Sequence, residues 1–162
     1  MKRSVKIFSL IMLLAVVTGT AFSHCQVPCG IYGDKTRFDM LREHIQTIEK
    51  SMKQIHELSG DAVNNVNQLV RWVENKDTHA DAFTEIVTYY FLAQRIKVKD
   101  SWETEAFADY QNKLTLLHQM MVFSMKSKQT TDLKNVAELN TLVDKFESVY
   151  FTAEDKVHLK DH

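Results

Sequence analysis

Beyond Gly60 the chain contains no glycine and no proline through to His162. A sheet protein needs tight turns, and tight turns draw on those two residues, so this stretch reads as helix throughout. The apolar residues agree. Phe38, Leu41, Ile45, Ile48, Met52 and Ile55 are spaced alternately three and four apart, which is one face of a helix. Thr36 with Asp39 forms a capping box that would open it. Ser59-Gly60-Asp61 reads as a stop, a turn and a new N-cap. Val63, Val66, Val70 and Val73 make the stripe of a second helix. Phe83, Val87 and Tyr90 continue it after a polar break at residues 74–78, readable as a kink or a loop. Residues 97–101 are polar enough for a connection, with Ser101 placed to cap a third helix and Glu103 and Glu105 in its first turn. Its stripe is Phe107, Tyr110, Leu114, Leu117 and Met121. Thr130 or Thr131 starts a fourth, carrying Leu133, Val136, Val143, Phe146 and Tyr150. The expectation is an all-α protein, an up-and-down four-helix bundle over residues 33–162.

The N-terminal end is built differently. Lys2, Arg3 and Lys6 precede a mostly apolar run over residues 7–17, and small or polar residues follow as far as Ser23, with Phe22 the one large side chain among them. That is the layout of a secretory signal peptide, and its apolar run is too short for a confident membrane span. Ala21 and Ser23 suit the small-residue positions before a cut at Ser23–His24. A competing cut after Ala21 would leave Phe22 and Ser23 attached. A lipoprotein cut before Cys25 is disfavoured by the bulk of His24. Residues 1–23 are therefore expected to be a removed leader, and the product to be exported, periplasmic or extracellular, with no stable membrane association. The leader takes three basic residues with it, which leaves the remainder acidic, and no basic block suggests nucleic acid.

Residues 24–32 hold both cysteines and the only proline. In an exported protein two thiols four residues apart can simply close a disulfide. Their neighbours favour a metal. Pro28 stiffens the chain before Cys29, Gly30 permits a turn after it, and His24 sets an imidazole beside the Cys25 thiol. Cleavage before His24 would add a free α-amine. Thiolates with nitrogen donors in a tetragonal arrangement suit Ni(II) or Cu(II).

The run His24-Cys25-x-x-Pro28-Cys29-Gly30-x-Tyr32 resembles the nickel hook of the nickel-containing superoxide dismutases at all six fixed positions. The resemblance implies one nickel ion per subunit, held by the amine and imidazole of His24, the amide nitrogen and sulfur of Cys25 and the sulfur of Cys29. It implies that Tyr32 lines the approach to the metal and that Tyr90, in the pair Tyr90-Phe91, is a second active-site tyrosine. Asp39, with Glu43 as rival, matches the carboxylate that orients the imidazole, and Arg71 the arginine supporting it. Each also has a plain reading: a helix cap for Asp39, a solvated face for Arg71, a core aromatic for Tyr90. The activity implied is disproportionation of superoxide by Ni(II)/Ni(III) cycling, in a homohexamer of four-helix bundles matured by a processing peptidase. Two departures stand out. An acid at the third hook position and a lysine after Tyr-Phe, present in some relatives, are here Gln26 and Leu92. The leader also looks like an ordinary export signal rather than a prosequence for a dedicated protease. The alternatives are a non-enzymatic exported nickel- or copper-binding helical protein, and a helical scaffold with a Cys25–Cys29 disulfide. The remaining histidines, His44, His56, His79, His118, His158 and His162, read as structural or surface residues, with only His158 and His162 four apart.

Overall fold

The computed structural model describes residues 30–159, apart from the side chain of Tyr32; the leader and residues 24–29 of the hook lie outside the described residues. The elements are α1 (Ile31–Leu58), a single 3-10 turn (Ser59–Asp61), α2 (Ala62–Glu85), a π-helical continuation (Ile86–Arg95), α3 (Thr104–Gln129), α4 (Leu133–Tyr150) and a short α5 (Ala153–His158). Each long helix packs on the next, and α4 closes the ring against α1, so this is an up-and-down four-helix bundle. Among the described residues there is no strand, and no helix is long and apolar enough to cross a membrane.

The first stripe is inward as expected: Phe38, Leu41, Ile45, Ile48 and Met52 are fully buried. The helix itself starts earlier, at Ile31, so Thr36 and Asp39 lie inside it and do not cap it. The turn at residues 59–61 also matches, with Asp61 accepting from the Asn64 backbone N–H as the cap of α2. The valine stripe does not. Val63, Val66, Val70 and Val73 are 87, 59, 51 and 41 % exposed. The inward side of that half of α2 is carried by Asn65, Leu69 and Trp72, each one residue earlier than a valine. One residue is about 100° of rotation in an α-helix, which turns the valines away from the core.

The polar break at 74–78 is not a loop, because α2 runs through it. Lys76 is buried there, and its Nζ donates to the carbonyls of Ser127 at 2.8 Å and Lys128 at 2.5 Å. It thus ties down the end of α3, where helix carbonyls lack backbone partners. Ser101 does not cap α3. The connection runs on to Glu103, whose side chain makes no capping hydrogen bond either. At the start of α4 the cap is Asp132, accepting from the Lys134 N–H at 3.0 Å.

Candidate active site

Gly30 has φ +124°, a conformation that favours glycine, and no neighbour lies within 4 Å of where a Cβ would stand. The requirement is therefore one of backbone, not of space. Its carbonyl accepts from the Asp34 N–H at 3.0 Å, so the hook's last turn leads directly into the first turn of α1. Asp34 is 8 % exposed. Its Oδ1 accepts from the Tyr90 hydroxyl at 2.5 Å and from Arg95 Nε at 2.8 Å. Arg95 closes the triangle by donating from Nη2 to the Tyr90 oxygen at 2.9 Å. A second tyrosine, Tyr150 of α4, faces the same carboxylate; burial first, then the Asp34 charge, pushes its hydroxyl far above the usual range.

The π-helical stretch makes this arrangement. Residues five apart stand about 140° apart around an α-helix. The i→i+5 register of a π-helix brings them back to one side. Ile96 N–H donates to the Phe91 carbonyl at 3.1 Å in that register, and Arg95 stands over Tyr90. The guanidiniums of Arg95 and Arg37 lie 4.8 Å and 5.1 Å from the centroid of the Tyr90 ring. Beneath sits an aromatic floor. Phe38 and Phe91 are 4.9 Å apart between centroids, and Phe146, Tyr150 and Phe151 complete the cluster. Packed rings hold their positions firmly, so the polar triangle has a rigid base.

The residues anticipated from sequence fall into three groups. His24, Cys25 and Cys29 lie outside the described residues, and of Tyr32 only the backbone, in the first turn of α1, is described. Tyr90 is at the centre of the site, 4 % exposed. Asp39 and Arg71 are not brought to it. Asp39 is five residues beyond Asp34, hence on a different side of α1, and pairs with Lys35 at the surface. Glu43 is exposed as well. Arg71 is exposed beside Gln68, Trp72 and Asn75, about 22 Å of helix before the π segment begins. Asp34, Arg95 and Tyr150 were not singled out from the sequence. Asp34 falls at the junction of hook and helix, Tyr150 reads as one more core aromatic, and Arg95 aligns with Tyr90 only once the helix widens.

Among the described residues no three His, Cys, Asp or Glu are grouped so as to hold a metal ion, and both cysteines precede them. The family model for nickel-containing superoxide dismutase matches residues 19–154. The chain belongs to that family. It is thus a nickel-dependent oxidoreductase acting on superoxide. No curated protein and no solved structure matches the chain significantly.

In this dismutase the Tyr90 proton is firmly held. Burial first, then the bond to Asp34, raises the hydroxyl above its usual range, while Arg95 pulls the other way. Tyr90 is therefore a neutral donor throughout the physiological range. Above about pH 10 an unfolded chain releases this proton before the folded one does, so folded stability is lost as pH rises there. Tyr90→Phe removes a buried hydroxyl bonded to two charged groups. A loss of about 1–3 kcal/mol is expected, read as a lower urea midpoint with unchanged helicity. The variant should also show a smaller alkaline loss of stability than the parent. An unchanged midpoint would contradict this account of the triangle.

Proposed function

We propose that the protein is exported, cut before His24, and then disproportionates superoxide at its new N-terminus, giving dioxygen from one molecule and hydrogen peroxide from the next. The donor set fits nickel. Two thiolates, an amine, an amide nitrogen and an imidazole, from His24, Cys25 and Cys29, would make a sulfur and nitrogen donor set of the kind that suits Ni(II). Nickel so held supplies one-electron cycling between Ni(II) and Ni(III). The observation that carries the reading is the turn at Gly30, which joins the hook to the triangle of Asp34, Tyr90 and Arg95.

The chain's own residues then have definite tasks. Asp34 and Arg95 fix the Tyr90 hydroxyl in orientation and in its protonated form. Arg37 and Arg95 hold two cations against the Tyr90 ring, with Asp34 on its hydroxyl and Glu85 on the groove that Arg37 and Tyr90 line. The two guanidiniums are the groups here that attract an anion such as superoxide, a role open because Gln26 and Leu92 carry no charge. The second superoxide takes up one electron and two protons, and the resemblance assigns Tyr32 the ordering of the water that would deliver them. Asp39, Glu43 and Arg71 stand outside this triangle and carry no task in this reading.

Assembly of several copies is part of the reading. Val63, Val66, Val70 and Val73 form an exposed apolar stripe on α2, the kind of surface that a homo-oligomer covers, and the resemblance implies a hexamer. Nickel analysis paired with a superoxide assay on protein beginning at His24 tests the function. One nickel per chain with rapid turnover is expected. Stoichiometric nickel without turnover would contradict it and leave a non-enzymatic metal-binding protein.

A further inference from the structure

His44 and His79 are 35 residues apart in the sequence, yet the fold pairs them. His44 of α1 and His79 of α2 meet Nδ1 to Nδ1 at 2.9 Å, with ring centroids 5.1 Å apart and planes at 57°. Both are half-buried. That contact is the hydrogen bond of the metal-free pair, and rotation of the rings would turn both Nδ1 lone pairs to one ion about 2.05 Å from each. We propose that His44 and His79 form a second site, distinct from the hook, for a divalent transition-metal cation that imidazole suits, such as Cu(II) or Ni(II), clamping α1 to α2.

The surroundings suit an exchangeable ion. His44 opens onto a groove of about 400 Å³ that Arg37, Met40 and Glu85 also line, so water can reach that ring. No third strong donor is grouped with the pair among the described residues, which makes the site weaker than the hook. Burial, then His79, holds His44 below the usual histidine range, with Glu43 opposing, so His44 is neutral and able to ligate near pH 7. The proton balance is simple. In the metal-free pair one Nδ1 carries the hydrogen that the other accepts. On binding, that ring takes the tautomer protonated at Nε2, and both Nδ1 lone pairs turn to the metal with no net change of charge on the imidazoles.

The test uses the full chain with Cys25→Ser and Cys29→Ser, in which the hook thiolates are gone and the His24 nitrogen remains in a peptide bond. Copper(II) alone is titrated in, followed by equilibrium dialysis, thermal melting and electron paramagnetic resonance. One copper per chain, a raised melting temperature and a hyperfine pattern from two imidazole nitrogens are expected. His44→Gln or His79→Gln should each weaken binding about 100-fold, because the second imidazole then no longer binds intramolecularly. Should either variant fold poorly, the hyperfine pattern of the protein with both histidines still decides. No binding, binding unchanged in both variants, binding lost instead on changing His158 or His162, or a spectrum lacking two imidazoles would each overturn the proposal.

Discussion

Cys29→Ser is expected to abolish superoxide dismutation while leaving the bundle folded, and Cys25→Ser to do the same. The core explains the second half of this expectation. Among the described residues the apolar core runs from Phe38 to Phe151, and both cysteines precede it in the chain. Removing either sulfur is therefore expected to leave the packing of α1 to α4 unchanged. The first half follows from the donor set. A thiolate is a strong, soft donor that stabilises a higher metal oxidation state, and a serine hydroxyl is neither soft nor ionised near neutral pH. The sulfur-to-metal absorption should disappear together with the activity, and far-ultraviolet circular dichroism should not change. A Cys29→Ser protein with full nickel and full turnover would contradict the assignment. A disulfide in metal-free protein left in air would not, since free thiols oxidise.

Where sequence and structure agree, the physical reason is visible. In α1 the face that packs is the face that is apolar, so a three-four spacing located Phe38, Leu41, Ile45, Ile48 and Met52 correctly. In the first half of α2 the more apolar face points outward, and spacing alone cannot say which of two adjacent stripes meets a neighbour. Lys76 sits in a stretch that looks solvated, yet it is buried because the unpaired carbonyls at the end of α3 accept its ammonium. The bundle was thus legible from periodicity, and the orientation of one helix within it was not.

The site divides in a similar way. Tyr90 was legible through Tyr90-Phe91, a local pair that needs no tertiary information. Its partners needed it. Asp34 and Tyr90 are held together by the packing of α1 against the second helical arm, across a wide separation in sequence. Arg95 reaches Tyr90 only because the helix widens to an i→i+5 register over Ile86–Arg95, which a 3.6-residue repeat does not anticipate. The pairing of His44 with His79 is likewise a product of helix packing.

The central claim is that the nickel hook begins at a free α-amine of His24. A nitrogen in a peptide bond has no basic lone pair until it loses its proton, so an extended His24 nitrogen would be an amide like that of Cys25 and no longer the neutral amine donor of the hook. The measurement that tests this most directly compares two proteins, one beginning at His24 and one with a single additional Ala before it, each with excess nickel. Both should fold to the same helical content, because the buried stripe starts at Phe38. The protein beginning at His24 should turn over superoxide rapidly, and the extended one should be silent. Equal activity in the two would contradict the account, since the amine could then not be a ligand.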